Sequence, residues 1–181
     1  DIDTIVDSLK DNKRIITLDN VFMQFINLYD VINFNKLLKN IYNPTYTIYC
    51  LGISELLLYS QMNEDEMQNL NSIIGIENYT FRLKRNNNTC PEHIYQSTID
   101  ICITQNKILR DIIHKIGNPI ISFNANIYSD LYYTNIDQLL DAYVDTDIDI
   151  LYDEKTRHNI GLENSVLSLD NTEINVIHRG L

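Results

Sequence analysis

The stretch KILRDIIHKIGNPIISFNANIYS (residues 107–129) combines an amphipathic helix with a short apolar strand. Apolar residues recur at helical spacing from Asn106 to Ile116, and Gly117 is typical of a helix end. The run PIISF that follows predicts a strand, and Asn124-Ala125-Asn126 lies where this strand gives way to a loop. Small polar side chains at a strand end commonly hold a ligand, so the triplet is a candidate site. The predicted apolar stripe of the helix comprises Ile108, Leu109, Ile112, Ile113 and Ile116.

Helix-like and strand-like segments alternate along the remaining chain. Asn63 followed by Glu66 resembles a capping box and predicts a helix through Ile74. The other predicted helices cover residues 2–9, 34–41 and 136–143, and the other predicted strands cover 14–18, 45–52, 79–85, 98–104, 148–152, 165–169 and 174–180. Without an internal repeat or a linker, the pattern predicts one α/β domain over residues 1–181, a twisted mixed sheet flanked by helices.

The charge balance argues against broad binding to nucleic acid. The chain has 181 residues, a formal net charge of −11 and a pI of about 4.6, so it repels phosphate backbones. Arg82, Lys84 and Arg85 form one local basic spot. A charged strand end that faces water is the simplest interpretation of these three residues.

Cysteine usage and hydropathy favour a reduced, cytoplasmic compartment. The sequence contains an odd number of cysteines, and their spacing is not that of a disulfide framework. They are Cys50, Cys90 and Cys102. No run approaches the roughly 20 apolar residues of a membrane span, and no signal peptide is visible. We therefore expect a cytoplasmic protein with no membrane partner.

Metal and phosphate motifs are weak in this sequence. Cys90 and His93 have a C-x-x-H spacing without a second ligand pair nearby. Asp145, Asp147 and Asp149 alternate along the chain, but the glycine and the distal glutamate of a calcium loop are missing. The phosphate loop of nucleotide hydrolases and the dinucleotide-binding glycine pattern are both absent. None of these motifs predicts a bound metal or cofactor.

Four segments of the C-terminal half, residues 107–129, 134–154, 161–169 and 174–180, together resemble the YrdC-like family of threonylcarbamoyl-AMP synthases. Residues 107–129 are similar to the family's helix, Gly-x-Pro strand and Ser-Ala-Asn-x-Ser-Gly segment. Residues 134–154 resemble its next helix and an Asp-bearing strand. The segments GLENSVLSL (161–169) and INVIHRG (174–180) resemble its Gly-x-x-Ser-Thr-Val-x-x-Leu and its terminal Ile-Leu-Arg-x-Gly.

The N-terminal half follows the family only in outline. The family's Pro-Thr-Asp-Thr-x-Tyr-Gly-Leu falls on LDNVFMQF (18–25), which keeps the hydrophobic rhythm and none of the hallmark residues. Its Lys-x-Arg falls on Lys39-Asn40-Ile41, so the lysine remains and the arginine does not. Its Pro-Gly-Pro-Leu-Thr strand keeps only Thr80, and Cys102 replaces the arginine of Arg-Val-Pro.

The resemblance implies a reaction and a set of site residues. In the family, L-threonine, bicarbonate and ATP give threonylcarbamoyl-AMP and pyrophosphate for tRNA modification, with Mg²⁺ bridging the phosphates. ATP and L-threonine would therefore be the ligands. The resemblance implies Ser165 as the substrate-binding residue. It implies as ATP-binding residues Lys39, Thr80, Asn124, Asn126 and Arg179.

Two hypotheses follow from the departures at Ile41 and Cys102. Attack on a phosphate builds negative charge, and each missing arginine could cost about 2–4 kcal/mol of stabilisation. The first hypothesis is a divergent threonylcarbamoyl-AMP synthase. The second is a catalytically degenerate descendant that acts as a binding or regulatory protein. A positive groove favours the first, and an acidic or filled groove favours the second.

Overall fold

Helices and strands alternate along the chain in a computed structural model that describes residues 1–75, 78–152, 166–169 and the backbone of 175–178. The helices are α1 (Ile2–Lys10), α2 (Val31–Asn40), α3 (Ile53–Tyr59), α4 (Glu64–Ile73), α5 (Lys107–Ile116) and α6 (Ile136–Ala142). The strands are β1 (Ile15–Asp19), β2 (Val21–Asn27), β3 (Tyr46–Cys50), β4 (Ser60–Gln61), β5 (Thr80–Arg85), β6 (Thr98–Ile103), β7 (Ile120–Asn124), β8 (Asp149–Leu151), β9 (Val166–Ser168) and β10 (Asn175–His178).

The described strands form one mixed sheet. Their order is β10-β9-β5-β6-β3-β7-β2-β1-β8, and β4 pairs with β5 outside this path. Three neighbouring pairs, β3–β6, β1–β8 and β5–β9, are parallel, and the others are antiparallel. This arrangement confirms the predicted mixed α/β sheet flanked by helices. Among the described residues, no helix has the length and apolar character needed to cross a bilayer.

Helix ends follow the capping chemistry that the sequence predicts. Asn63 Oδ1 accepts a hydrogen bond from the Glu66 backbone at 2.9 Å, and Glu66 Oε1 accepts one from the Asn63 backbone at 3.1 Å. This reciprocal pair is the predicted capping box of α4. Asn106 caps the first turn of α5 through its side-chain oxygen, and Gly117 ends that helix at a φ of 89°.

The predicted apolar stripe of α5 is wrong at its first residue. Ile108 is 43% exposed, whereas Leu109, Ile112 and Ile113 are buried. Leu109, Ile112 and Ile113 are three and four residues apart and face the sheet together. Ile108 lies beside this row, where the helix surface turns towards solvent.

The two faces of the sheet are covered to different extents. On one face, α2, α3 and α4 pack against Ile48, Phe81 and Ile121 through a continuous apolar core. On the opposite face, α1 and α5 pack against Phe25 and Ile120. Because neighbouring residues of a strand point to opposite faces, the polar positions between the core residues lie on the α1/α5 face. Part of that second face remains open and forms a groove.

Candidate functional site

The groove is a cavity of about 500 Å³ above four neighbouring strands. The pairing of Arg82 with Asp100, and that of Thr47 with Ser122, places these side chains on one face of the sheet. The floor consists of Thr80 and Arg82 from β5, Asp100 from β6, Thr47 and Tyr49 from β3, and Ser122 and Asn124 from β7. The floor therefore carries hydroxyl and amide groups together with one pair of opposite charges.

The rim of the groove is built by two loops and a hairpin tip. Tyr42 and Asn43 follow α2, and Asp130 and Tyr132 belong to the loop after β7. The Tyr42 backbone donates to the Ile127 carbonyl at 2.9 Å, which fastens the two loops together. The third part of the rim is Asp19 at the end of β1.

Arg82 and Asp100 form a two-point ion pair across the floor. Arg82 Nε lies 2.8 Å from Asp100 Oδ1, and Arg82 Nη2 lies 3.0 Å from Oδ2. The Arg82 side chain is 40% exposed and that of Asp100 is 16% exposed. The hydrogen bond to Asp100 raises the pKa of Arg82. Both oxygens of the carboxylate are thus committed to the guanidinium.

Asp19 is buried at the rim of the groove, where Tyr49 contacts it. The Tyr49 hydroxyl donates to Asp19 Oδ2 at 2.6 Å, and Asn106 Nδ2 lies 3.4 Å from Oδ1. Burial, followed by the charge of Asp19, raises the pKa of Tyr49 well above its ordinary value. The phenol therefore stays protonated and acts as a donor to the carboxylate.

The described lining of the groove is acidic. Asp19, Asp100 and Asp130 carry negative charge, and Arg82 is the one Lys or Arg side chain among the described lining residues. Its charge is balanced by Asp100. The positive groove expected for an active synthase is therefore not found within the described residues.

The residues that the resemblance implies do not all meet in this groove. Thr80 and Asn124 line it. Lys39 is exposed near the end of α2 and does not line the groove. Asn126 is half-buried and does not line the groove either. Ser165 and Arg179 lie outside the described residues, so their roles stay predictions.

Asn124 and Asn126 hold the loop after β7 in place. Asn124 Oδ1 accepts from the Asn126 backbone at 2.9 Å, and Asn126 Oδ1 accepts from the Tyr128 backbone at 3.1 Å. Asn126 Nδ2 also donates to Ser129 Oγ at 3.1 Å. These are turn-forming contacts typical of asparagine. Asn126 therefore shapes the groove wall through the loop.

The two positions where the family has arginine are both apolar and buried. Ile41 lines the groove and also belongs to the core beneath α2. Cys102 lies between Tyr49 and Thr80 in the sheet register and is fully buried. Burial raises the pKa of the Cys102 thiol, with a further contribution from Asp19. Neither side chain can bind an anion.

A resident metal does not fit the described part of the groove. Among the described residues, no three His, Cys, Asp or Glu side chains converge in a cluster that could hold a metal ion. The Asp100 carboxylate is already engaged by Arg82, and Asp19 by Tyr49. The weak C-x-x-H motif also has another role, since His93 Nε2 lies 2.8 Å from the Leu28 carbonyl oxygen.

Sequence reasoning missed Arg82, Asp100 and Asp19 as groove residues. Alternation in TFRLKR and TIDICI does place Arg82 and Asp100 on the faces opposite their apolar neighbours. Their pairing depends on the register between β5 and β6, which a single sequence does not specify. Asp19 lies in the segment 18–25 on which the family's Pro-Thr-Asp-Thr motif falls, but it matches none of the hallmark residues at its position.

Comparisons with known proteins agree on the architecture. The Sua5/YciO/YrdC family model, described as telomere recombination, matches residues 37–180. E. coli YciO superposes with a TM-score of 0.81 at 17% identity, covering 99% of this chain and 89% of YciO. P. abyssi Sua5, solved in complex with L-threonine, gives a TM-score of 0.79 at 17% identity and covers 99% of this chain. No curated protein sequence matches the chain at a significant level.

Some similar structures are much longer than this chain. The match covers 54% of Sua5. It covers 29% of full-length HypF, which was solved with phosphate and nucleotide bound and has a TM-score of 0.82 at 16% identity. At such low identity these superpositions establish the fold.

Proposed function

Because the chain belongs to the Sua5/YciO/YrdC family, we propose that it is a catalytically degenerate relative of threonylcarbamoyl-AMP synthases that binds a small polar ligand in its groove. The family's reaction joins L-threonine, bicarbonate and ATP to give threonylcarbamoyl-AMP and pyrophosphate for tRNA modification. The observation that carries the proposal is an ion pair. Arg82, the one described guanidinium in the groove, is paired with Asp100.

L-Threonine is the ligand that this groove fits best. The floor offers the hydroxyls of Thr47 and Thr80, which can donate to and accept from a small polar molecule, and that of Ser122, which already donates to the Thr47 carbonyl at 3.4 Å. A zwitterion meets a charge of each sign at the Arg82–Asp100 pair without separating the two side chains. The Sua5 structure with L-threonine bound supports this choice of ligand.

The same lining disfavours the triphosphate of ATP. A polyphosphate brings several negative charges next to Asp19, Asp100 and Asp130, and like charges repel strongly where solvent is partly excluded. Unpaired cationic donors help to stabilise the charge that builds up at a reacting phosphate, and none is found among the described lining residues. Mg²⁺ would enter only with ATP, because the described residues do not form a metal site of their own.

A second candidate function is a slow but active synthase. It is favoured by Thr80 and Asn124, two of the family-implied residues, which both line the groove. In that case Lys39, Thr80, Asn124, Asn126 and Arg179 would contact ATP, and Ser165 would contact L-threonine. This assignment rests on the family resemblance.

Calorimetric titration tests the proposal. We expect L-threonine to bind the wild-type chain and to bind Thr80→Val more weakly, because that variant lacks one floor hydroxyl. Thr98→Val is the matched control, since Thr98 is an exposed threonine of β6 that does not line the groove. Failure of both L-threonine and ATP to bind at millimolar concentration would contradict the proposal and its alternative together.

A further inference from the structure

The pairing of Arg82 with Asp100 neutralises the positive charge that would otherwise attract a phosphate. Arg82 projects into the groove from β5, and its register partner Asp100 projects from β6 beside it. Two of the guanidinium nitrogens face the two carboxylate oxygens at 2.8 and 3.0 Å. Asp100 engages the Nε and Nη2 donors, and its negative charge offsets the attraction of the remaining guanidinium donors for a phosphate.

Competition favours the internal carboxylate. Asp100 is held opposite Arg82 by the sheet, whereas an incoming anion must give up its freedom of motion to reach the same place. A displaced Asp100 would also remain close to the anion with no described Lys or Arg in the groove to replace Arg82. An unpaired carboxylate at a mostly buried position is costly.

A further described charge of the groove acts in the same direction. Asp130, an exposed carboxylate of the rim, adds negative charge to the lining. Lys84, two residues further along β5, is exposed and is not among the lining residues. The described groove therefore contains no second cation that could draw a polyphosphate past Asp100.

We propose that Asp100 is a specificity-determining residue of this groove: by holding Arg82 in a two-point ion pair, it prevents polyphosphate binding and leaves the groove selective for neutral or zwitterionic ligands of amino-acid size. The inference rests on the proposed function, because it concerns the ligand class of the same groove. It differs from the loss of family arginines at Ile41 and Cys102. Those positions have lost cations, whereas Arg82 is a cation that is present and blocked.

The test is titration of inorganic pyrophosphate, without metal, into wild-type protein and Asp100→Asn. The asparagine cannot hold the guanidinium as an ion pair, so Arg82 becomes available. We expect Asp100→Asn to bind pyrophosphate about tenfold or more tightly than wild type, as for a gained charge-assisted contact. The double variant Arg82→Gln/Asp100→Asn should lose this gain. Asp65→Asn is the charge-matched control, because Asp65 is exposed on α4.

Several outcomes would overturn the inference. One is that Asp100→Asn binds pyrophosphate no better than Asp65→Asn, although circular dichroism shows that the Asp100→Asn protein is folded. A gain that persists in the double variant would also overturn it, because Arg82 would then not be the residue that donates to the phosphate.

A second comparison keeps the inference testable if Asp100→Asn does not fold. The double variant Arg82→Gln/Asp100→Asn removes the ion pair without changing the net charge and should bind pyrophosphate within about twofold of wild type, because the paired guanidinium contributes little. A tenfold loss would mean that Arg82 is already free to bind anions, which contradicts the inference. Titration of the wild type with L-threonine tests the proposed function separately, since the pyrophosphate comparison stands whether or not L-threonine binds.

Discussion

The hydroxyl of Tyr49 donates a hydrogen bond to Oδ2 of Asp19 over 2.6 Å and thereby ties the centre of the sheet to the β1–β2 hairpin. Asp19 ends β1, Asn20 turns the chain at a φ of 62°, and Val21 begins β2. Asparagine tolerates this left-handed backbone better than most residues. The contact therefore fixes the hairpin tip that forms one side of the groove.

Removing this hydroxyl should lower stability. We expect Tyr49→Phe to reduce the free energy of unfolding by about 1–3 kcal/mol, because buried Asp19 loses a donor while the aromatic ring is kept. Urea denaturation followed by circular dichroism measures the change. Tyr128→Phe is the control and should change stability little, since Tyr128 is 79% exposed. Equal effects in the two variants would contradict the importance of the Tyr49–Asp19 contact.

Asn126 should act on the loop rather than directly on a ligand. Asn126→Ala removes the side-chain contacts to Ser129 and to the Tyr128 backbone, so we expect a loss of about 1 kcal/mol in unfolding free energy. L-Threonine affinity should fall less than in Thr80→Val, whose hydroxyl lines the groove. Paired unfolding and calorimetric measurements separate the two effects. The reverse order of affinity losses would place Asn126 in contact with the ligand.

His93 should make stability depend on pH in the mildly acidic range. Burial lowers the pKa of His93 below 6.5, although the Leu28 carbonyl and Asp30 oppose this shift. The unfolded chain therefore binds a proton more readily than the folded chain. The contribution of His93 to stability is complete above about pH 6.5 and is lost as the pH falls through the lowered folded pKa.

The His93 prediction can be checked with two histidine variants. Unfolding free energies measured by urea denaturation from pH 7.5 down to about pH 5 should fall less steeply for His93→Gln than for wild type. His114→Gln should keep the wild-type slope, because His114 is exposed on α5. An unchanged slope in His93→Gln would contradict the assigned burial effect.

The three cysteines should be unreactive in the folded protein. All three are buried, and burial raises the pKa of Cys50 to about 12. Burial also raises the pKa of Cys90 and Cys102. Because the thiolate is the reactive form, a chromogenic disulfide reagent should label no thiol in native buffer and all three in denaturant. Fast labelling of one thiol under native conditions would contradict its burial.

Sequence patterns predicted the elements whose periodicity or capping is strong. The Asn63 capping box, the Gly117 end of α5 and the alternation in β5 and β6 all reflect local chemistry, and the structure confirms them. β2 (Val21–Asn27) and α3 (Ile53–Tyr59) were missed. β2 lies in the interior of the sheet between β1 and β7, so its apolar run lacks the alternation of a half-buried strand.

The groove could be predicted only in part. Thr80 and Asn124 were identified through the family resemblance, and both line it. The Arg82–Asp100 pair was not identified, because it arises from the pairing of two strands whose register the sequence leaves open. The acidic character of the groove likewise depends on residues that are far apart in the chain, from Asp19 to Asp130.

The most direct test of the central claim is pyrophosphate release by purified protein with ATP, Mg²⁺, bicarbonate and L-threonine. The claim is that the described groove contains no unpaired cation able to hold a triphosphate. We predict that pyrophosphate is released at the same rate in the complete mixture and in a mixture that lacks L-threonine. Release that requires both L-threonine and bicarbonate, and that falls in Thr80→Val but not in Thr98→Val, would contradict the claim.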